Sequence, residues 1–480
     1  MDQARSSADE RTRAALSIGQ EQLYFLEQML PGRPTYNVPL LHRVTGSLDL
    51  EALRESLTAS VRRHESLRTS FRSADGTPCA WVAPAADAEL AVTDLSAVPA
   101  PDRDAAAREA VAAHVLAPFD LETGPLYRFA VFTLAPDEHI ISRVLHHSVT
   151  DGWSAATLNA ELVADYAARL RGEAPGTEAP ATRYADFAAR QRVLLDGKGF
   201  DDQLAYWEEQ LHALGPLDLP ADRPRPVEPT SAGDAVVVQL PPGLVRDARH
   251  LAGDEGVSLF MILTAALAAL LARYTGSEDI AIGAATPGRT DPDLEGVVGY
   301  FTNMVVLRAD VSGDPSFRAL LGRIADVTMD AFDNQDVPFE RVVDRLRPVR
   351  DPGRNPLFGV CAQLLDDHNS GSGLALAGTR TTPVESPVGG ARFDLALNFV
   401  ESPRGLLLRI EYSSDLFDRW RIEALADHLE QVLAGAVADP GRSVLALPLM
   451  SEAERDRVLA AGRGQPLELG DERPARLHTR

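Results

Sequence analysis

The sequence predicts an α/β protein, an α+β sandwich built in two parts, on three grounds. At 480 residues the chain exceeds what one hydrophobic core spans, so two lobes are expected. Stretches alternating at period two interleave throughout with stretches of helical apolar spacing, the pattern of sheets and helices packed in layers. One segment, 172–182 (GEAPGTEAPAT), is rich in Pro, Gly and Ala and interrupts that pattern. It sets the division into a disordered polar start over 1–13, an N-terminal lobe over 14–178, a C-terminal lobe over 179–450 and a linker over 451–480.

Residues 16–30 carry Leu16, Leu23, Leu26 and Leu30 on one helical side, with Ser17 as a cap. A strand follows at 38–44 and an amphipathic helix at 50–65. Its continuation packs Arg62, Arg63 and Arg68 into one short segment, a solvated helix end or, if buried, a brace for a site. Two strands, 126–134 and 139–145, are joined by the turn Ala135-Pro136-Asp137-Glu138. A helix beginning near Ser154 then places Leu158, Leu162 and Tyr166 at four-residue steps.

The second part reads as helices over 184–195 and 200–214, a proline-rich crossing over 219–229, a strand over 235–240 and a helix over 244–255. The apolar run within 257–274 is too short to span a membrane and reads as a buried helix. Strands over 279–285 and 297–307, a helix over 317–332, a hairpin over 393–412 and a helix over 420–437 complete it.

A net charge of −23 argues against nucleic acid or an anionic membrane as the main partner. The two cysteines, Cys79 and Cys361, lie far apart without metal-ligand spacing, which points to a reducing compartment. The polar, charged N-terminus carries no secretory signal, so a cytoplasmic protein is expected.

Between the strand at 139–145 and the helix after it stands His146-His147-Ser148-Val149-Thr150-Asp151-Gly152-Trp153-Ser154. A loop gripped by two rigid elements can hold reactive side chains in place and still let them reach a ligand. Nucleophilic catalysis needs a Ser or Cys beside a base, yet no cysteine is near in sequence and neither Ser148 nor Ser154 lies in a Gly-x-Ser-x-Gly elbow. Asp151 is available as a third metal ligand, but the spacing does not match the common zinc sites, and no metal is assigned. Acyl transfer with His147 beside the acceptor leaves the fewest missing parts.

A series of motifs in a fixed order carries a resemblance. Ser17-x-Gly-Gln-x-Gln-Leu-Tyr-Phe-Leu26 comes first, then Arg63-His-Glu-x-Leu-Arg-Thr-x-Phe71 and the double-histidine loop. Tyr184-x-Asp-Phe-Ala-x-x-Gln191, Val298-Gly-Tyr-Phe-Thr-Asn303, Asn334-Gln-Asp-x-Pro-Phe-Glu340 and Arg350-Asp-x-x-Arg-Asn-Pro-Leu357 follow. The chain resembles a condensation domain of a nonribosomal peptide synthetase over residues 14 to 450. The resemblance implies two chloramphenicol-acetyltransferase-like lobes in a V-shaped pseudo-dimer, with the histidines midway along a tunnel. Donor and acceptor carrier proteins would approach its two ends, each with its substrate on a 4'-phosphopantetheine arm, no cofactor being bound by the chain itself.

It further implies that His147 is catalytic, supported by His146, with Asp151 paired to Arg289 and Gly152 giving the pantetheine close access to the backbone. Arg63 and Arg68 would brace the site, and Trp153, Ser154, Tyr300 and Asn303 would line the tunnel. Arginines after Asn334 make a local positive surface, in which Arg345, Arg347 and Arg350 are candidates for the carrier phosphate. The alternative is a solvated helix whose arginines pair with Asp344, Asp351 or Glu340.

Amide formation from an L-donor and an L-acceptor is the closest subtype. An ester from a hydroxyl acceptor, a free-standing enzyme, and a noncatalytic relative that recruits partner enzymes are the rivals. Residues 447–461 with the last residues after them resemble the entry to an adenylation domain, a neighbour if the chain is a piece of a larger synthetase; a monomer is expected.

Overall fold

Alternating burial along the strands sorts the chain into two layered halves, each a sheet covered by helices. The structure is a computed structural model and describes residues 11–349, 351–366, 373–402 and 405–462. In chain order the strands of the first half are β1 (Thr12–Ala14), β2 (Asn37–Gly46), β3 (Thr69–Ala74), β4 (Thr77–Val82), β5 (Leu90–Asp94), β6 (Tyr127–Ala135) and β7 (Glu138–His146). Those that follow are β8 (Gly233–Gln239), β9 (Asp279–Thr286), β10 (Asn303–Asp310), β11 (Val360–Leu365), β12 (Thr379–Pro383), β13 (Leu395–Ser402) and β14 (Gly405–Ser413).

The N-terminal sheet runs β12-β2-β7-β6-β5, and β1, β4 and β3 form a small sheet beside it. On β7, Ile141 and Leu145 face a core shared with Leu53 and Leu57 of the helix Leu50–Arg63 and Leu158 and Leu162 of the helix Gly152–Leu170. Ile140 and Val144 turn the other way, onto Val111 and Val115 of the helix Ala100–Leu116. The period of two thus buries both faces of β7, whose apolar pairs 140–141 and 144–145 flank the buried polar Ser142 and Arg143. β7 ends at the histidines, and the helix Gly152–Leu170 starts after them.

The C-terminal sheet runs β10-β9-β11-β13-β14-β8. The helix Leu259–Thr275 lies in the core with nearly every residue from Ile262 to Leu271 buried, so it is apolar all round and not amphipathic. Among the described residues no single helix is long and apolar enough to cross a membrane.

Three features depart from the sequence expectations. Residues 1–10 of the stretch expected to be disordered lie outside the described residues, but Thr12–Ala14 pairs with β4 as a short strand. The strand expected over 297–307 forms only from Asn303, because the preceding backbone is drawn into the histidine site and not into a ladder. Most consequential, β12 comes from the C-terminal part yet pairs with β2, Thr379 opposite Gly46 and Pro383 opposite His42. Just before it, Leu374 and Leu376 enter the N-terminal core, 5% and 2% exposed.

Leu376 therefore ties the two halves together by burial. Leu376→Ala is expected to cost about 2–5 kcal/mol, the range for emptying a buried leucine site. Differential scanning calorimetry should show a lower transition in which the two halves begin to melt apart; an unchanged single transition would count against the tie.

Candidate active site

The histidine loop is a single 3-10 turn, His147–Val149, closed on both sides by its own side chains. His146 is 3% exposed and packs edge-on against Phe119, with Tyr36 on another side. Its Nδ1 accepts a hydrogen bond from the Ser148 backbone N–H at 3.2 Å and lies 2.8 Å from the Ser148 hydroxyl. Burial first, and the charge of a protonated His147 next, hold the His146 pKa down at about 3.

His147 is only partly buried. Its Nδ1 lies 2.8 Å from the Thr150 carbonyl oxygen. A carbonyl can only accept, so Nδ1 carries the proton and the Nε2 lone pair is left for something else. Among the described residues no hydrogen bond reaches that nitrogen. The Tyr300 ring stands edge-on to the imidazole with centroids 4.9 Å apart. Burial, then the positive charge of Arg392, pull the His147 pKa down to about 4, against smaller opposing pulls from the Thr150 carbonyl and Asp151. The imidazole is therefore neutral across the physiological range.

Asp151 caps the helix Gly152–Leu170, its Oδ1 accepting from the Ser154 N–H at 2.8 Å. The same carboxylate takes Arg289 in a two-pronged pair, Nη1 to Oδ2 at 2.9 Å and Nη2 to Oδ1 at 3.1 Å. Oδ2 also accepts from the Phe301 N–H at 2.9 Å, so both oxygens are doubly engaged. Arg289 donates further to the Ser154 hydroxyl at 2.8 Å and lies over the Phe301 ring. Both side chains are 1% exposed. The pair fastens the histidine loop of one half to 287–301 of the other.

Other predicted residues divide by place. Trp153 donates from Nε1 to the Glu295 carbonyl, and the Ser154 hydroxyl holds both the N–H and the carbonyl of Gly299, so both are committed to this interlobe knot. Asn303 is fully used in holding 334–339: its Nδ2 donates to the Gln335 and Val337 carbonyls, and its Oδ1 accepts from Phe339. Arg63 is buried between Glu161 and Asp165 of the helix Gly152–Leu170, and Arg68 holds the Val61 and Ala83 carbonyls; neither touches His147. Arg345 is exposed and pairs with Glu208, Arg341 with Asp344, and Arg354 with Asp218 and Asp351. Arg347 is exposed in a left-handed conformation, and Arg350 lies outside the described residues.

Gln20, Tyr184 and Arg392 join the site without having been singled out by sequence. Gln20 donates to the Ser148 carbonyl, and the Tyr184 phenol lies 2.5 Å from the Tyr300 carbonyl and 2.8 Å from the Ser17 hydroxyl. A Cβ on Gly299 would come within 2.0 Å of the Tyr184 ring, so only glycine permits this approach. Gln20 and Tyr184 sit inside the motifs given above, which was the available signal; Arg392 follows no periodic or motif pattern. Among the described residues no cluster of His, Cys, Asp or Glu could hold a metal, and Cys79 and Cys361 are free and buried.

Two layered lobes joined across a histidine loop are the arrangement that the resemblance to condensation domains implies, a chloramphenicol-acetyltransferase-like fold. The condensation-domain family model matches residues 10–459, and the chain belongs to that family of nonribosomal peptide synthetase domains, acyltransferases that form amide bonds. The dimodular nonribosomal peptide synthase of Bacillus subtilis is 38% identical over 472 residues, covering 95% of this chain and 19% of that protein. Phosphinothricin tripeptide synthetase of Streptomyces viridochromogenes is 36% identical over 92% of this chain and 40% of its own length. The chain thus spans less than two thirds of either. The crystal structure of the X-domain from teicoplanin biosynthesis superposes with a TM-score of 0.82 at 29% identity, covering 91% of this chain and 98% of that one. The starter condensation domain of rhizomide synthetase shares the fold at a TM-score of 0.79 and 22% identity, over 92% and 98% of the two chains.

Removing either partner of the Asp151–Arg289 pair leaves the other charge buried and alone. Asp151→Ala and Arg289→Ala are each expected to lose about 3–5 kcal/mol of stability, measured by urea denaturation. A fully stable Asp151→Ala protein that is merely inactive would assign the carboxylate to the reaction and not to the fold.

Proposed function

We propose that this chain transfers a carrier-bound acyl or peptidyl thioester to the amine of a carrier-bound acceptor amino acid, an L-donor to an L-acceptor. The observation that carries the reading is the tautomer of His147: the Thr150 carbonyl fixes the proton on Nδ1 and frees Nε2. In the proposed step the neutral amine accepts orientation from Nε2 and attacks the thioester carbonyl carbon. The C–N bond forms, the amine proton passes to Nε2, the C–S bond breaks and the imidazolium returns the proton to the departing thiolate. A site so poor at holding a proton acts as a relay more than as a strong base. A thiol with a pKa of about 8.5 is a ready leaving group and a ready acceptor of that proton. His146 supports the turn, and Asp151, Gly152 and Arg289 hold its base.

The phosphopantetheine belongs to the donor and acceptor carriers, and the stretch 451–480 is read as the approach to an adenylation domain in a cytoplasmic synthetase. The division near residue 178 and the monomeric state belong to the same reading. One tunnel mouth is assigned to the acceptor carrier. There the helix Phe339–Leu346, with Arg345 and the Arg347 that follows it, packs near the helix Ile18–Met29, whose Phe25 and Met29 are exposed. A hydroxyl acceptor would use the same atoms and give an ester. The rival reading, recruitment of a partner enzyme, draws on the teicoplanin X-domain solved in complex with OxyB. The intact double histidine with its free Nε2 favours catalysis.

His147→Ala should cripple condensation while the protein stays folded, a loss of roughly 10²–10⁴ in rate if proton transfer is its contribution. His146→Ala should act through the turn and lower stability as well. Product mass spectrometry with loaded carriers reads both, and near wild-type turnover of folded His147→Ala would overturn the assignment.

The acid limb of kcat/KM should follow the acceptor ammonium, rising with pH through about 8. With His147 titrating only near 4, no inflection belongs to it at pH 6–7. An inflection there that disappears in His147→Ala would contradict the neutral-imidazole relay.

Substituting Arg345 or Arg347 should weaken carrier-bound acceptors and spare small soluble amines that lack the phosphate, with the defect shrinking as salt rises. Equal loss with both acceptors would mean that these arginines serve the fold.

A further inference from the structure

Among the described residues, several enclosed arginines of this chain come with carboxylates. Arg63 lies between Glu161 and Asp165, Arg289 grips Asp151, and Arg225 grips Asp394 with two hydrogen bonds. Arg143 is 3% exposed and has no acid beside it among the described residues. Among those residues its guanidinium makes one hydrogen bond, from Nη2 to Oδ1 of Asn159, itself 3% exposed, and its enclosed Nε has no partner. Burial, with no compensating charge among the described residues, lowers its pKa to about 10.

The position is as telling as the missing partner. Arg143 stands on β7 four residues before His147, opposite Leu40 of β2 and Phe129 of β6. By the alternation of the strand it shares a face with Leu145, which points toward the helix Gly152–Leu170 that supplies Asn159. Four strand residues place it about 13 Å along the chain from the histidine, a gap that an arginine side chain and a short dicarboxylic acyl chain together bridge. His42, diagonal to Arg143 on β2, adds a second buried polar side chain to that face.

We propose that Arg143, with Asn159, is a specificity subsite for a carboxylate carried on one of the acyl substrates, such as an aspartyl or glutamyl side chain or a dicarboxylic acyl group. A carboxylate would supply the charge and the second acceptor that the guanidinium lacks, in the two-pronged geometry that arginine favours. The inference rests on the condensation reading only in taking the ligand to be one of the two substrates.

Binding tests it apart from turnover. Isothermal titration compares N-acetylcysteamine thioesters in two pairs, succinyl against butyryl for a donor and aspartyl against asparaginyl for an acceptor. In the wild-type protein the acidic member of one pair should bind about 10- to 100-fold tighter than its neutral partner, the worth of a charge-assisted hydrogen bond. Which pair shows it identifies the donor or the acceptor side. Arg143→Met should erase the preference while keeping affinity for neutral thioesters, and its melting temperature should hold or rise, since an apolar isostere removes an unpaired buried charge. Arg143→Gln, which still donates to Asn159, repeats the comparison should the methionine variant misfold. No acidic preference in the wild type, or a preference that survives loss of the guanidinium, overturns the proposal. Condensation of neutral substrates is read separately, and its absence would count against the catalytic reading and leave the binding result standing.

Discussion

The carboxylate of Asp151 is the point on which the site depends. It ends one helix, receives a guanidinium from the other half of the chain and binds the Phe301 N–H, all out of contact with water. Such a pair is expensive to bury, and its stabilising share is small unless every lone pair and proton is used. Here the Ser154 hydroxyl, the Pro287 and Val297 carbonyls and the Phe301 ring take up most of the remaining capacity of Arg289. What the arrangement secures is position: the histidine turn has one register relative to the opposite half.

That register sets the electrostatics of the imidazole. His147 is pressed between the Tyr300 ring and its own turn, with Arg392 adding positive charge from the far half. Desolvation and a like charge both disfavour the imidazolium, and they outweigh the Thr150 carbonyl and Asp151. In the proposed reaction this produces a group that orients and passes a proton without keeping it. The low basicity that would disqualify a stand-alone general base suits an amine acceptor, which needs little help once neutral.

Local pattern made much of this readable. The β6–β7 hairpin, the buried helix Leu259–Thr275 and the histidine loop follow from period, turn chemistry and apolar length, and they formed where those signals put them. The approach of Arg289 to Asp151 was expected from the family resemblance, since no local rule joins residues so far apart. The irregular backbone before Asn303 was misread as strand because its apolar residues are buried against Tyr184 and the N-terminal core instead of a sheet. Arg143 was unreadable for the opposite reason. An arginine in a strand of mixed character gives no hint whether an acid lies opposite it until the fold is known. β12 escaped notice because its partner β2 lies far away in sequence, and polar edge strands carry weak alternation.

The borrowed strand has a consequence for how the molecule can be divided. β12 occupies the outer edge of the N-terminal sheet, and Leu374 and Leu376 plug the core behind it. A polypeptide ending near residue 178 would therefore present the whole of β2 as a bare edge above an open apolar socket, the combination that invites strand-to-strand aggregation. The halves resemble each other in architecture but are not interchangeable modules. Recombination that swaps one half must carry the crossing segment with the sheet it completes, so the natural seam for grafting follows hydrogen bonding and not chain order.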